Sequence, residues 1–591
     1  MRGPSLLLVF LITKLAVVWG HARPLTGWSV VAYAWQDVLV ALVFAAFDSS
    51  LRKIGRAPGI IAWALYWAFA TYAAINIPVA RAVFTPLTWP MIRAARGPLA
   101  DSMLLYITST NILLVLVALV VAAALPPLLE RVPRPLVKVG AACSIAFVLL
   151  GPIASTRVET RGLDRNAITA LIDTGLRRVD AHASTGDCRT TRMAAERYTS
   201  PAGGFAHENL SWSEGIAHGR NVVMVSLEST AAQYLSLYGG EYDVMPNLSA
   251  LAHRALIFDN AYAVYPESIK GLFSVLCSTF PAFDTQAEVY EKVECRSLAA
   301  VLADAGYRTA MFHSGRFGYL GMESIIRHRG YQTLEDAGDI GGNHNSSFGV
   351  DEPATVARML AWIDALPHGQ HFFLTYLPIA GHHPYATPER GPFEGSGEIN
   401  QYRNSLHYGD ESLGSLVRGL CARALEENTV WVIYGDHGEA FGQHQGNHGH
   451  TFFLYDENVH VPFLIAAPGL IRTQQHVRKA VSLVDTAPTI LDLMGIPAPA
   501  NYQGRTMLDA APRMAFFFTD YSLGILGLRD GPWKLVYEME SGRKQLFNIE
   551  RDPGETSDMS AREGARVSWY SAVVCGWSSA QQRYVAEAAS Q

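Results

Sequence analysis

At 591 residues the chain is longer than one hydrophobic core organises, so at least two structural units are expected. Apolar residue types make up 49% and charged ones only 17%, a balance that points to a membrane protein. A formal net charge of -6 gives no footprint for nucleic acid, and that class of partner is set aside.

The apolar residues crowd into the first 155 positions, where five segments stand out: roughly 5–20, 28–47, 59–80, 103–126 and 136–155. A membrane-crossing helix needs about 20 mainly apolar residues. The third and fourth segments meet that length, the second carries Asp37, and the first is short and holds Lys14. Ionisable residues inside spans are functional candidates by default, although snorkelling from a short first span explains Lys14 as well. A cleaved signal peptide is the other reading of the first segment, since Arg2 precedes the apolar run, but no clear small-residue cleavage site follows. Five spans from a cytoplasmic N-terminus, or four after cleavage, place the remainder on the periplasmic or extracellular side of the cytoplasmic membrane. The basic residues agree modestly: Arg2, Arg52, Lys53, Arg56, Arg131, Arg134 and Lys138 fall on inner segments, against Arg23, Arg81, Arg93 and Arg96 on outer ones.

Residues 156–219 are mixed and polar and read as a connecting arm. From 220 to about 510, apolar runs of strand length alternate with helical stretches: NVVMVSLES before MPNLSALAHRAL, YRTAMFHSG after RSLAAVLADAG, HFFLTYLPIAG after ATVARMLAWIDAL, TVWVIYGD after SLGSLVRGLCARAL, and VPFLIAAPG before DTAPTILDLMGI. Uniformly apolar strands separated by helices predict a mostly parallel sheet covered on both faces. Residues 511–591 change texture, with short antiparallel strands, turns at Asp530-Gly531 and Ser541-Gly542, and a tail. The fold class expected is a multi-span helical domain, then an α/β domain, then a small antiparallel subdomain. Cys277 and Cys295 bracket a loop between two predicted helices and are the favoured disulfide of an oxidising compartment; the six cysteines include no CxxC pair that would suggest a cysteine metal site.

In open α/β sheets, binding groups gather at the carboxyl ends of strands. NVVMVSLE ends on Glu228, VWVIYGDH on Asp436 and His437, FFLTYLPIAGHH on His382 and His383, and RTAMFH on His313. Four strands thus deliver acids or imidazoles to one edge. Glu228, Asp436 and His437 offer a mixed oxygen and nitrogen set that suits one zinc or manganese ion, and calcium or magnesium less well. Such an ion polarises a phosphoryl or sulfuryl oxygen and lowers the pKa of a hydroxyl bound to it. Ser268, just ahead of the helical run 270–280, supplies the hydroxyl. Free amides at a helix N-terminus favour an anion there. A serine so placed is either a nucleophile and metal-bound hydroxyl or simply an N-cap.

Residues 220 to about 555 resemble the sulfatase and alkaline-phosphatase superfamily. NVVMVSLEST is similar to its opening metal-binding strand, MPNLSALAHRALIFDNAYA to the following helix and strand, YGDHGEAFGQH to its second metal segment, and SLVDTAPTILDLMGIP to its later helix. The stretch LRDGPWKLVYEMESGRKQLFNIERDPGETSDM resembles the C-terminal subdomain of sulfatases, whereas spans ahead of such a domain resemble lipoteichoic acid synthases and phosphoethanolamine transferases. The resemblance implies Glu228, Asp436 and His437 as metal ligands and Ser268 as nucleophile. It also implies His313 of MFHSG, His382 of GHHPY and His450 of GHTFFLYDE as holders of the substrate's anionic group, with His448 in reserve for His450. Arg316 joins them as a bidentate phosphate partner.

Two departures point away from sulfatases. Ser268-Ile269-Lys270-Gly271-Leu272 lacks the proline and arginine of the formylglycine motif, and Glu228 is followed by Ser229 rather than a second acid. Both imply one metal and an unmodified hydroxyl, although the transferases generally use threonine. The membrane-bound transferase reading moves a phosphoglycerol or phosphoethanolamine headgroup from a lipid donor to an envelope glycan or lipid acceptor. A phosphate- or sulfate-ester hydrolase is the alternative, and a non-catalytic lipid-binding regulator the third. Assembly state leaves no trace in the sequence. Among neighbouring residues, His444 reads as structural and His383 as bonded to a backbone carbonyl. Glu439 is either an orienter of His437 or an exposed loop acid, and Lys270 either neutralises substrate or is a solvated first-turn residue.

Overall fold

Apolar residues surround the N-terminal segments on all sides, the pattern of helices that face lipid as well as each other. In the computed structural model, which describes residues 1–19, 26–54, 56–83, 85–94, 107–158, 160, 162–176, 210–342 and 349–590, they form helices Arg2–Val18, Ser29–Ile54, Arg56–Val83, Ser109–Leu129 and Arg134–Arg157. The last four are long and apolar enough to cross a bilayer and indicate a multi-pass membrane anchor. Among the described residues the first is 17 residues long, at the short end of what a span needs, and it packs against three of the other four. Lys14 does not snorkel. Its Nζ lies 3.3 Å from Asp37 Oδ2 and donates to the carbonyls of Leu163 and Arg165 at 2.9 and 2.8 Å. Hydrogen bonds of this kind are what make a buried ion pair tolerable.

Of the connecting arm, the described part includes the helix Ala167–Leu176, which packs on the anchor. Residues 177–209, with Cys188, lie outside the described residues.

The α/β domain is built on β1 (Asn221–Leu227), β2 (Ala255–Tyr262), β3 (Arg308–His313), β4 (Thr333–Glu335), β5 (Phe372–Leu377) and β6 (Thr429–Gly435). After a small hairpin of β7 (Ala440–Phe441) and β8 (His448–Gly449) come β9 (His460–Val461), β10 (Phe463–Ala466) and β11 (Gln475–Ser482). The sheet order is β11-β2-β10-β6-β1-β5-β3-β4, with β9 paired to β2. β1 is parallel to β5 and β6, β3 to β4 and β5, and β11 to β2, while β10 runs antiparallel between β6 and β2. The exception has a topological cause. A parallel neighbour needs a crossover back to the amino edge, whereas the chain from β6 to β10 stays at the carboxyl edge and must return in the opposite sense. Alternate residues of β1 enter opposite cores: Val222 and Met224 on one face, Val223 and Val225 on the other.

Strands β12 (Met514–Thr519), β13 (Ile525–Asp530), β14 (Trp533–Glu538) and β15 (Lys544–Asn548) form an antiparallel meander. The expected tail is instead a 27-residue helix, Gly564–Ser590, that buries Tyr570, Val574 and Trp577 against it. Cys277 and Cys295 are bonded, with Cα atoms 5.6 Å apart, and close the C-terminal end of the helix that begins at Ser268. Replacing both by serine removes a cross-link over an 18-residue separation and is expected to cost roughly 3 kcal/mol. The check is a lower thermal midpoint than that of the unchanged protein under non-reducing conditions, a gap that closes when both are reduced.

Candidate metal and nucleophile site

The register of β1 on β6 pairs Leu227 with Gly435, and the ladder continues one step further through Asp436 N donating to Leu227 O at 3.1 Å. Glu228 and Asp436 therefore emerge side by side at the carboxyl edge. Both are buried, as is His437. One ligand atom from each of the three lies within 4.8 Å of the others. His437 Nε2 stands 3.6 Å from Glu228 Oε1 and 3.5 Å from Asp436 Oδ2. Its Nδ1 faces the carbonyl of Gly438 at 2.9 Å. Donation there leaves the Nε2 lone pair turned toward the carboxylates, as a metal ligand requires.

The electrostatics call for a cation. Burial and the neighbouring Asp436 push the Glu228 carboxyl up to about 8. Burial opposes charge on His437, but Asp436 and Glu228 outweigh it and raise its pKa. Two enclosed carboxylates and an imidazole presenting Nε2 fit one divalent ion.

Ser268 is the first residue of helix Ser268–Cys277, not its cap. Glu267 caps it, accepting from the amides of Ile269 and Lys270. Two helix-end amides expected to greet an anion are thus occupied by the chain's own carboxylate. Freed from capping, Ser268 Oγ donates to Glu228 Oε2 at 3.1 Å and lies 3.4 Å from His437 Nε2. At Ser229 the backbone takes a φ of 52°, an uncommon conformation for a non-glycine residue. The turn aims Ser229 N at Asp436 Oδ1, 2.9 Å away, and Tyr402 Oη holds the Ser229 carbonyl at 2.6 Å.

The histidines surround this cluster unequally. His450 lies 4.1 Å from His437 between ring centres, the rings tilted by 31°, and is fixed through Nδ1 by Glu439 Oε2 at 2.7 Å. Glu439 is buried and also accepts from Tyr385 Oη at 2.9 Å. It is therefore not an exposed loop acid, and with His437 and His450 it forms a second candidate metal group, one ligand atom of each within 4.8 Å of the others. His313 is buried at the end of β3, its Nδ1 2.8 Å from Leu377 O. His382 sits on a loop brought close by Gly381, whose φ is +108° and whose added Cβ would lie 2.4 Å from the Glu228 carbonyl. Its Nδ1 faces the His383 carbonyl at 2.6 Å. The His383 ring lies 3.9 Å from Glu398. Arg316 is exposed on the loop after β3, and His448 is exposed in the hairpin.

His444 makes the contacts of a structural residue. It stacks on Tyr455 at 3.6 Å, with Nδ1 2.6 Å from Glu457 Oε1. Lys270 is not solvated. It is buried over the Tyr265 ring and paired with Asp520 at 2.8 Å.

Residues 220–496 match the Sulfatase family model, and residues 446–567 match the model of the N-sulphoglucosamine sulphohydrolase C-terminal region. The chain thus carries a domain of the sulfatase and alkaline-phosphatase superfamily, a class of catalytic proteins, here with candidate metal-binding residues and a membrane anchor. Within that class it is related to lipoteichoic-acid-synthase-like and sulfatase proteins. It is 24% identical over 321 residues to lipoteichoic acid synthase-like YvgJ of Bacillus subtilis (strain 168), covering 51% of this chain and 52% of the relative. It is 29% identical over 172 residues to arylsulfatase K of Bos taurus, covering 26% and 31%. The chain spans about half the length, or less, of these curated relatives. The crystal structure of the lipoteichoic acid synthase LtaP from Listeria monocytogenes superposes with a TM-score of 0.50 at 17% identity, covering 64% of this chain and 96% of that one, a likeness of fold.

Asp436→Asn is expected to lower affinity for the divalent ion by more than about tenfold, read as metal content after dialysis; unchanged content would remove Asp436 from the ligand set. Burial pushes His382 down to about 4. Since the unfolded imidazole titrates near 6.5, the folded state binds fewer protons between those values. Stability is complete above about 6.5 and declines toward about 4. His382→Gln should flatten part of that decline in thermal midpoints measured across this range.

Proposed function

We propose that the chain is a membrane-anchored phosphotransferase that moves a phospho-alcohol headgroup, phosphoglycerol or phosphoethanolamine, from a lipid donor to an envelope acceptor through Ser268. The observation that carries this reading is the Ser268 hydroxyl, hydrogen-bonded to one carboxylate of the candidate metal cluster, in a domain whose β8 segment packs against the anchor helix Arg56–Val83. A lipid headgroup is the substrate that such a location serves.

Glu228, Asp436 and His437 would hold one manganese or zinc ion. When bound, that ion would polarise the phosphoryl oxygen and favour the alkoxide of Ser268. Ser268 Oγ attacks phosphorus, and its bond to phosphorus forms as the bond to the lipid alcohol breaks. The serine proton leaves with that alcohol. In the second half the acceptor hydroxyl forms the new bond, Ser268 departs, and the acceptor's proton restores it. His313, His382, Arg316 and His450 are assigned to the phosphoryl oxygens, with Glu439 holding His450 in place.

The catalytic domain is assigned to the outer face of the cytoplasmic membrane. Arg2 and Arg52 cluster with Asp48 at one end of the bundle, the end that the positive-inside rule places in the cytoplasm. The catalytic domain docks at the other end, through Thr88 and Arg165. A disulfide at Cys277 and Cys295 suits the same side. Ester hydrolysis is the second reading, favoured by the match of residues 446–567 to a sulphohydrolase region.

Ser268→Ala should reduce turnover by about a thousandfold or more while sparing metal content. Intact-mass measurement after incubation with membrane lipids separates the two readings. An adduct of phosphoglycerol or phosphoethanolamine mass on Ser268 supports transfer. Steady release of free phosphate or sulfate from test esters without that adduct supports hydrolysis.

A further inference from the structure

The segment that carries Ser268 is held from outside its own domain. Asp520, just beyond β12 in the C-terminal subdomain, is buried and accepts four hydrogen bonds. Oδ1 takes Tyr265 Oη at 2.7 Å and Lys270 Nζ at 2.9 Å; Oδ2 takes Lys270 Nζ at 2.8 Å and Asp284 N at 2.7 Å. Tyr265 precedes Ser268 by three residues, Lys270 follows it by two, and Asp284 lies beyond the end of the same helix. One carboxylate therefore fixes the nucleophile's helix on both sides. A lysine in the first turn of a helix opposes the helix dipole, and Asp520 neutralises that charge where water is excluded.

The next residues of the same loop grip the anchor. Ser522 Oγ is hydrogen-bonded to Thr85 Oγ1 at 2.5 Å. Arg165 Nη1 donates to Ser522 O at 3.0 Å and to Ser522 Oγ at 3.1 Å. Thr88 Oγ1 donates to the Tyr521 carbonyl at 3.1 Å. The backbone of Arg165 is in turn held by Lys14, the partner of Asp37 in the anchor. Three consecutive residues, Asp520, Tyr521 and Ser522, thus join the helix of the nucleophile to the membrane bundle without a gap.

We propose that Asp520 is a positioning residue for Ser268, and that Arg165, by holding Ser522, sets Asp520 in place, so that nucleophile geometry depends on the docked anchor. The inference rests on Ser268 as nucleophile. Its consequence is that the catalytic domain is fully active only on its anchor, which confines the chemistry to the bilayer surface even for a substrate that reaches the site from water.

The test uses the full chain in detergent, loaded with Mn2+, and a small soluble diester, bis(p-nitrophenyl) phosphate. Arg165→Ala should lower kcat by about tenfold with KM and metal content unchanged. Breaking one partner of a buried pair threatens folding, whereas replacing both is better tolerated, so the second variant is the double change Lys270→Met with Asp520→Asn. It should lower kcat to a similar degree, again without a change in KM. A purely structural role would lower the thermal midpoint and leave the kcat of the folded fraction alone. Wild-type kcat in either variant overturns the proposal. Ser268→Ala assayed in parallel keeps the two claims apart, since wild-type turnover in that variant would sink the nucleophile reading itself.

Discussion

Two carboxylates, Glu228 and Asp436, emerge next to each other from adjacent strands into a buried site, and the rest of the site answers that placement. The strand register enforces it, because Leu227 pairs with Gly435 and each strand then continues by one residue. Like charges this close in a medium of low dielectric repel strongly. The chain relieves part of the repulsion with the amides of Ser229 and His437, both donating to Asp436 Oδ1. It relieves more with the His437 imidazole, whose pKa the pair raises. What remains is a demand for a cation, built into the backbone pairing of a parallel sheet.

That demand was legible in the sequence because it sits at strand ends. Uniformly apolar runs closing on Glu228, His313 and Asp436-His437 mark both the sheet and its carboxyl edge, and β1, β3 and β6 lie where those runs lie. The pairings around them were not legible. Lys270 and Asp520 are separated by 250 positions, and Arg165 and Ser522 by 357. No local period records such contacts, so Lys270 reads as a solvated residue or a neutraliser of substrate charge until the fold is known. The capping of Ser268 failed for a subtler reason. Serine is a strong N-cap type, but the glutamate before it takes the role, and only backbone geometry shows which of the two stands outside the helix.

The direction of β10 and the final helix were missed on different grounds. VPFLIAAPG carries the apolar pattern of any buried strand, and pattern alone is silent on direction. The connection that precedes it, rich in histidine, glycine and asparagine, remains at the site edge and dictates the reversal. Along Gly564–Ser590, apolar residues alternate with serines, glutamines and alanines, so the stripe that buries Tyr570, Val574 and Trp577 is diluted.

The C-terminal subdomain is where the two functional readings meet. Its sequence matches a region of a sulphohydrolase, which taken alone favours water as acceptor. Its position in the structure carries a different weight. The loop after β12 stands between the membrane bundle and the helix of Ser268, touching both within three residues. Likeness to a sulphohydrolase region is compatible with the proposed transfer, because what selects the acceptor is access to the second half-reaction and the exclusion of water from it, not the pedigree of the supporting strands. On the proposed transferase reading the anchor does more than tether: it would fix Ser268 at the bilayer surface, where a lipid donor would be concentrated and a lone water would have to compete with the envelope acceptor.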